Sequence, residues 1–454
     1  MYAQVAVENV NCTFDKDYDY SIPQQLEGKA LVGCPVAVPF GIGNRKRIGI
    51  ITRLTDSTQG KRIKSISAVL DEAPLLSNEM MSLARWISEQ TFCTYYEAVK
   101  AMLPAGINHK IIRSFCAVPG VDESVIASLD SDEKQVYDYL LSRSGYVKPE
   151  NFLKTLGFDV SSDIPERLLK AGLLAANDDA VRNIGDNNIR MVRLCEGADD
   201  IQMTKKQSEV VNVLKDVGSV SVKELCYFTG YTPSVISALE KKSVVECFER
   251  EELRSFVSRY AVRSAYDSGE IHLTDEQQKA YDGLLEDYKS GTGKTALLYG
   301  VTGSGKTSVY LKLIDAVLAD NKTVIVMVPE ISLTPQTLSV FHSRYNDGVA
   351  VFHSALSAGE RADEWKRVKN GDAKIVIGTR SAVFAPLENI GLIIIDEEQE
   401  HTYKSEQTPR YNAKSVARYR AAWHKGLTLL CSRPLRRASS LSPRRRAASI
   451  LSMS

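Results

Sequence analysis

A chain of 454 residues is too long for one ordinary core, so about three domains are expected. With 44% hydrophobic residues, 25% charged residues and a net charge of +1, it has the balance of a soluble globular protein. Any attraction for nucleic acid must therefore come from local patches. No apolar run approaches the ~20 residues needed to cross a bilayer, and the N-terminus has no basic start followed by an apolar stretch. A cytoplasmic location with no membrane partner is expected. The eight cysteines are scattered, no two closer than twenty residues, so there is no CxxC pair to hold zinc and the thiols read as reduced and buried.

Residues 1–105 carry short alternating segments such as Tyr2–Val7, Cys34–Pro39 and Ile48–Thr52, punctuated by Gly33, Gly41 and Gly43. They predict a β-rich domain that ends in a helix over roughly Ser77–Leu103. Residues 106–265 are mostly helical by period and contain an internal echo. DEKQVYDYLLSRSGYVKPENFLKTLGF and TKKQSEVVNVLKDVGSVSVKELCYFTGY each give a helix, a polar break and a second helix ending near glycine. A third helical stretch and a β-like segment follow each. This is a winged-helix-like order in two possible copies, with a helical spacer that never touches DNA as the other reading.

Over residues 266–430 the apolar runs ALLYG, TVIVMV, VAVF, KIVIG, LIII and LTLL alternate with helical segments. Continuous apolar strands between helices predict a parallel sheet covered on both faces. Residues 431–454 hold six arginines, many serines and no acid, and read as a disordered basic tail.

Two Gly-Lys-Thr triplets stand twelve residues apart, at 293–295 and 305–307. A phosphate loop needs a strand to deliver it, glycines that let backbone N–H groups converge, and a helix N-terminus facing the anion. Gly300-Val-Thr-Gly303-Ser304-Gly305-Lys306-Thr307 meets all three, with Ala296–Tyr299 before it and a helix from Ser308 after it. The first triplet has Tyr288 where the leading glycine belongs and reads as a surface connector. Lys306 should reach the β- and γ-phosphates of a nucleotide and Thr307 should bind Mg²⁺. Asp396, at the end of an apolar strand, can hold Mg²⁺ through water, and Glu397 can polarise the attacking water. Gln277, in LTDEQQKAY upstream, reads either as a contact to the adenine edge or as a helix-start residue.

Gly378-Thr379-Arg380 follows a strand, so N–H, hydroxyl and guanidinium can face a phosphate. The loop with His401, Tyr403, Lys404, Arg410 and Tyr411 mixes aromatics and bases, as single-stranded DNA requires.

Gln277, GVTGSGKT, VPEISLTPQ, GTRSAVFAP, DEEQ and PRYNAKSVA occur in helicase order. In wording they resemble the primosomal replication-restart helicases, the PriA or primosomal protein N′ family of superfamily 2. The resemblance implies an α/β multidomain chain with an N-terminal DNA-binding domain and a RecA-like ATP-binding lobe. It also implies ATP-driven 3′→5′ DNA translocation and partners that include forked and single-stranded DNA, primosome proteins and single-strand-binding protein. It further implies that Tyr18, Asp19, Gly41 and Lys64 line a pocket for the 3′ end of a nascent strand, and that Tyr403 and Lys404 belong to a DNA-coupled loop. The resemblance runs to about residue 430. Beyond it the family has a Gly-Ser-Ala-Thr-Pro-like motif, zinc-binding cysteine pairs and a second lobe supplying an arginine. Here Cys431-Ser-Arg-Pro follows, and Gln399 stands where histidine is usual. The expectation is an N-terminal fragment with a frame-shifted tail, poorly active as an ATPase and without its zinc ligands. A fork-binding module with an inert lobe and a different DNA-translocating ATPase are the other readings.

Overall fold

The computed structural model describes residues 1–433 except 11–14, 42, 59–62, 72, 105–106, 122–124, 127, 183–187, 196–202, 252–270 and 302, together with 449–453. Among these residues no helix is long and apolar enough to cross a membrane.

Alternating side chains fold the N-terminal segment into a six-stranded sheet. Its strands are β1 (Tyr2–Val7), β2 (Tyr18–Ser21), β3 (Pro35–Phe40), β4 (Arg45–Thr55), β5 (Lys64–Ser65) and β6 (Ala68–Val69), in the order β5-β2-β1-β4-β3-β6. Val5, Val36, Val38 and Ile51 lie on the buried face. The long helix expected over Ser77–Leu103 is instead two helices, α1 (Asn78–Thr91) and α2 (Tyr95–Met102). The break follows local chemistry. Phe92 adopts a left-handed backbone, and Thr94 with Glu97 then forms a capping box that starts a new helix.

Two small helical units follow. In the first, β7 (His109–Ala117) pairs antiparallel with β8 (Leu174–Arg182) across α3 (Ser131–Leu141), α4 (Pro149–Leu156) and α5 (Ile164–Lys170), around Tyr137, Phe152 and Leu168. In the second, β9 (Asn188–Leu194), β10 (Ser219–Ser221) and β11 (Val245–Glu251) form a sheet beside α6 (Lys205–Val217), α7 (Val222–Thr229) and α8 (Pro233–Lys241). Glu166 on α5 accepts from Arg45 of β4 at 2.9 Å and from Arg113 at 3.0 Å. The third helix of the first unit is thus tied to the N-terminal sheet.

The C-terminal lobe opens with α9 (Asp275–Lys289), β12 (Thr295–Tyr299), α10 (Lys306–Ala319), β13 (Thr323–Met327), α11 (Pro335–Tyr345) and β14 (Val349–Phe352). It continues with α12 (Ala358–Lys369), β15 (Ile375–Gly378), β16 (Ile390–Ile395), α13 (Ala413–His424) and β17 (Leu427–Ser432). Its sheet runs β14-β15-β13-β16-β17-β12, all parallel, so every strand delivers its carboxyl end to one edge. The six apolar runs are these six strands. The disordered tail expected from 431 needs correcting at both ends. Cys431 and Ser432 complete β17, and Ser449–Met453 forms β18, antiparallel to β12. The unpaired backbone groups along the outer side of β12 are what a short apolar strand can satisfy.

The N-terminal helices and the C-terminal lobe share one core. Leu83, Ala84 and Ile87 of α1 pack in the same cluster as Val383, Phe384, Ile393, Val416 and Ala417. At its centre Arg420, fully buried, donates to Glu79 at 2.7 and 2.9 Å and to the carbonyls of Val383, Ala385 and Leu387. His424 lies 3.4 Å from the same carboxylate. Burial works against ionisation of Glu79, but Arg420 and His424 outweigh it and hold the carboxyl at about 2.

Arg420→Met strands the Glu79 carboxylate in this core and should cost about 3–5 kcal/mol in urea unfolding. Glu79 ionises at about 2 when folded and near 4.5 when unfolded, so its contribution is complete above pH 4.5 and disappears as pH falls toward 2. The wild-type minus R420M difference should shrink across that window; a constant difference would show that the ion pair is not its source.

Candidate nucleotide site and nucleic-acid face

The loop between β12 and α10 turns twice through left-handed backbone, at Gly303 (φ +78°) and Gly305 (φ +77°). A Cβ at Gly305 would sit 2.2 Å from Gln277 Nε2, so the Gln277 amide would have to leave its place, and the positive φ strains any side chain there. Gln277 does two things at once. Its Oε1 accepts from the Thr274 N–H at 2.9 Å, completing the cap of α9, and its Nε2 donates to the Ser304 carbonyl at 3.0 Å, bracing the loop. The helix-start reading of Gln277 is realised, and its amide also braces the loop after β12.

Lys306 is the first residue of α10, and its Nζ donates to the carbonyls of Gly300 (2.7 Å) and Val301 (3.0 Å). Thr307 and Ser308 follow in the first turn. The carboxyl end of β16 brings Asp396 and Glu397 to the same place. A cavity of about 290 Å³ has Gly303, Gly305, Lys306 and Thr307 on one wall and Asp396 and Glu397 on the other. Burial raises the Asp396 carboxyl above the usual carboxylate range. The Glu397 N–H, donating to Oδ1 at 2.9 Å, and Lys306 oppose that, while the Glu397 charge adds to it. Glu397 has φ +46°, a left-handed conformation unusual for this residue and one that turns the chain sharply after the strand. One hydroxyl and one carboxylate in an open cavity are the hard oxygen donors that Mg²⁺ takes, with phosphate and water completing its shell.

The 293–295 triplet has a packing role. A Cβ at Gly293 would meet Ala422 Cα at 2.8 Å, so this turn lies directly against α13, far from any helix N-terminus of its own. Sequence reasoning did not single out Arg433, which lines the cavity and lies 3.3 Å from Glu400 and 3.9 Å from Glu397. An arginine in a basic, serine-rich stretch carries no signal of such a position. Gln399 Oε1 accepts from Ser432 Oγ at 3.4 Å, linking the loop after β16 to the end of β17.

At the same sheet edge, Thr379 is buried after β15. Arg380 Nη1 donates to the carbonyls of Thr402 (3.2 Å) and Lys404 (2.6 Å), and Lys404 Nζ donates to the Arg410 carbonyl at 2.6 Å. Tyr403 requires a correction. Its ring is 1% exposed and its hydroxyl donates to the carbonyls of Asp396 (2.6 Å) and Met327 (3.2 Å), so no face is open for a base to stack on. The short turn at His401–Tyr403 folds the ring inward, where burial pushes its hydroxyl well above the usual range. Tyr411 is likewise buried, edge-on to Phe384 at 4.7 Å. The sequence had also not picked out Ile331, 79% exposed just beyond β13.

In the N-terminal sheet, Lys64, Gly41 and Tyr18 lie close together, while Asp19 has other partners. Lys64 Nζ donates to the Gly41 carbonyl at 2.6 Å, and Tyr18 meets Phe40, the neighbour of Gly41, edge-on at 5.0 Å. Asp19 accepts from Thr58 at 2.6 Å and from Gln4 at 3.3 Å.

Residues 4–104 match the 3′DNA-binding domain (3′BD) family of PriA, and residues 274–432 match the DEAD/DEAH box helicase family. The chain thus joins a DNA-binding domain to a helicase motor lobe. It is 35% identical over 431 residues to the replication restart protein PriA of Bacillus subtilis, covering 93% of this chain and 52% of that protein. It is also 32% identical over 428 residues to that of Synechocystis, covering 89% and 48%, and 28% identical over 419 residues to that of Chlamydia pneumoniae, covering 92% and 46%. The chain belongs to the replication restart protein PriA family and spans about half the length of these relatives.

Gly305→Ala should lower affinity for a fluorescent ATP analogue about tenfold or more, the loss of one or two charge-assisted backbone bonds to phosphate. Circular dichroism should be unchanged. Equal affinity in the variant would move the anion cradle elsewhere, and Gly293→Ala is the control that should leave it intact.

Proposed function

We propose that this chain binds a DNA fork at a nascent 3′ end and carries the ATP-binding half of a 3′→5′ DNA helicase that restarts replication. The observation that carries this reading is the shared cavity of Lys306, Thr307, Asp396 and Glu397 on the same polypeptide as the Lys64–Gly41 contact and the neighbouring Tyr18 ring. In this reading Gly300, Gly303, Ser304 and Gly305 offer backbone N–H groups to the triphosphate of ATP. Lys306 leaves its loop carbonyls for the β- and γ-phosphate oxygens, exchanging two neutral acceptors for an anionic one. Thr307 and Asp396 would hold Mg²⁺, which supplies charge neutralisation on the transferring phosphoryl group. Glu397 orients the attacking water and accepts its proton. Gln277 stands beside the loop, where it can meet the adenine edge.

On the DNA side, Thr379 and Arg380 contact a backbone phosphate of a single strand. Lys404 adds charge, and Tyr403 acts as a positioning residue that ties the DNA-facing loop to the carbonyl of Asp396. The 3′ terminus sits between Tyr18 and Lys64, with Asp19 accepting from the terminal hydroxyl. Primosome and single-strand-binding proteins in the cytoplasm are the partners this function requires. A second reading, a fork-binding module with an inert lobe, draws on the Lys306 side chain folded onto its own loop.

Fork binding measured by anisotropy should fall about tenfold or more when the nascent 3′-hydroxyl is replaced by a 3′-phosphate, the scale of one hydrogen bond to a charged group. Asp19→Asn should erase the difference. Indifference to the 3′ group in the wild type sinks the fork-end assignment. DNA-stimulated ATP hydrolysis that Lys306→Ala removes supports the motor, whereas none in the wild type supports the inert lobe.

A further inference from the structure

The carboxyl ends of β14 and β15 lead into a second cavity, of about 200 Å³, on the opposite flank of the lobe from the nucleotide. The lobe lines it with Phe352, His353, Arg361, Trp365, Ser381 and Phe384, and the end of α2 closes it from the N-terminal side. Its walls are aromatic and its polar groups are almost all donors. Trp365 is 2% exposed, yet its indole Nε1–H has no hydrogen-bond partner, and neither does the buried Nε–H of Arg361. His353 Nδ1 accepts from the Ala355 N–H at 3.2 Å, which leaves the ring proton on Nε2 as another donor. Ser381 adds a hydroxyl. Unpaired buried donors are costly, so a site holding two of them is suited to an acceptor-rich occupant.

The position says which kind. Phe352 pairs with Gly378, and the Thr379 N–H donates to the Phe352 carbonyl at 3.1 Å, so the cavity opens beside Thr379 and Arg380. We propose that it receives one unstacked nucleobase of the single strand whose phosphate Thr379 and Arg380 hold, a step that rests on the DNA-facing reading above. A base is flat, it can lie against Phe352, a half-buried ring of the lining, with the edge of the Trp365 indole beside it, and its carbonyl and ring-nitrogen acceptors match the indole and guanidinium N–H groups. Because α2 closes the cavity, a base lodged there touches the N-terminal domain and the motor lobe at once.

The test uses the whole chain with Trp86→Phe and Trp423→Phe, which leaves Trp365 as the sole tryptophan of the three present. A twelve-residue oligothymidylate should quench its emission, and an abasic oligonucleotide of the same length should not. Ala101→Phe, which fills the cavity from α2, should remove the quench and weaken oligothymidylate binding about tenfold, the scale of one stacked base, while leaving binding of the fluorescent ATP analogue unchanged. Salt-dependent binding by anisotropy with no quench, or equal quench by the abasic chain, overturns the base pocket and leaves the strand-contact reading standing. No oligonucleotide binding at all overturns both.

Discussion

A guanidinium with no exposure to water dictates much of this structure. Arg420 needs five acceptors, and it finds them in a carboxylate from the N-terminal domain and three carbonyls of the turn after β15. Each of those groups would be costly to bury alone. None can leave without stranding the others, so α1, α13 and the Val383–Leu387 segment hold one arrangement. The apolar residues around them, from Leu83 to Val416, form one cluster across the domain boundary. In the proposed function, such a joint would hold the strand-end domain and the ATP-binding lobe in one fixed arrangement.

The nucleotide cavity shows the opposite arrangement, with polar groups held ready. Burial disfavours the charge on Asp396, and Lys306 satisfies its ammonium on loop carbonyls. Both are low-commitment states. A divalent cation beside Asp396 favours its ionised form, and a triphosphate offers Lys306 better acceptors than amide oxygens. In the proposed reading, nucleotide binding would therefore draw two side chains out of these arrangements without rebuilding the backbone. Gly303, Gly305 and the left-handed Glu397 already hold that backbone in place.

The parts of this site that depend on local backbone chemistry were legible in the sequence. A glycine pattern between a strand and a helix specifies a phosphate loop, because only that order aims N–H groups at an anion. An acidic pair at the end of an apolar strand follows from the parallel sheet, which sends all such ends to one edge. What the sequence did not disclose depends on three-dimensional neighbours. Tyr403 read as a stacking ring because it is aromatic among bases, but a ring with two backbone carbonyls within reach of its hydroxyl is stable inside. Arg420 carries no sequence signal of its burial, since its partner is 341 residues away. Phe92 and Thr94, which divide one long apolar stretch into two helices, do carry a local signal in the Thr94–Glu97 spacing, and that capping pattern was there to be read.

The two small helical units show how the same local pattern serves different ends. In the first, Glu166 on α5 is held by Arg45 and Arg113, and Arg113 also clamps Asp178 at 2.7 and 2.9 Å. The Asp178 carbonyl accepts from Lys46 at 2.8 Å. A helix whose acidic first turn is bound to a neighbouring strand is committed to that strand and would have to break these pairs to approach a phosphate backbone, which its carboxylate would itself repel. In the second unit, ion pairs such as Arg190–Glu240 and Arg193–Glu246 close within the unit. Tyr227 and Phe228 of α7 stand exposed. The echo in the sequence fixed two similar packings around similar cores. The charges laid on those packings made one of them part of the N-terminal body.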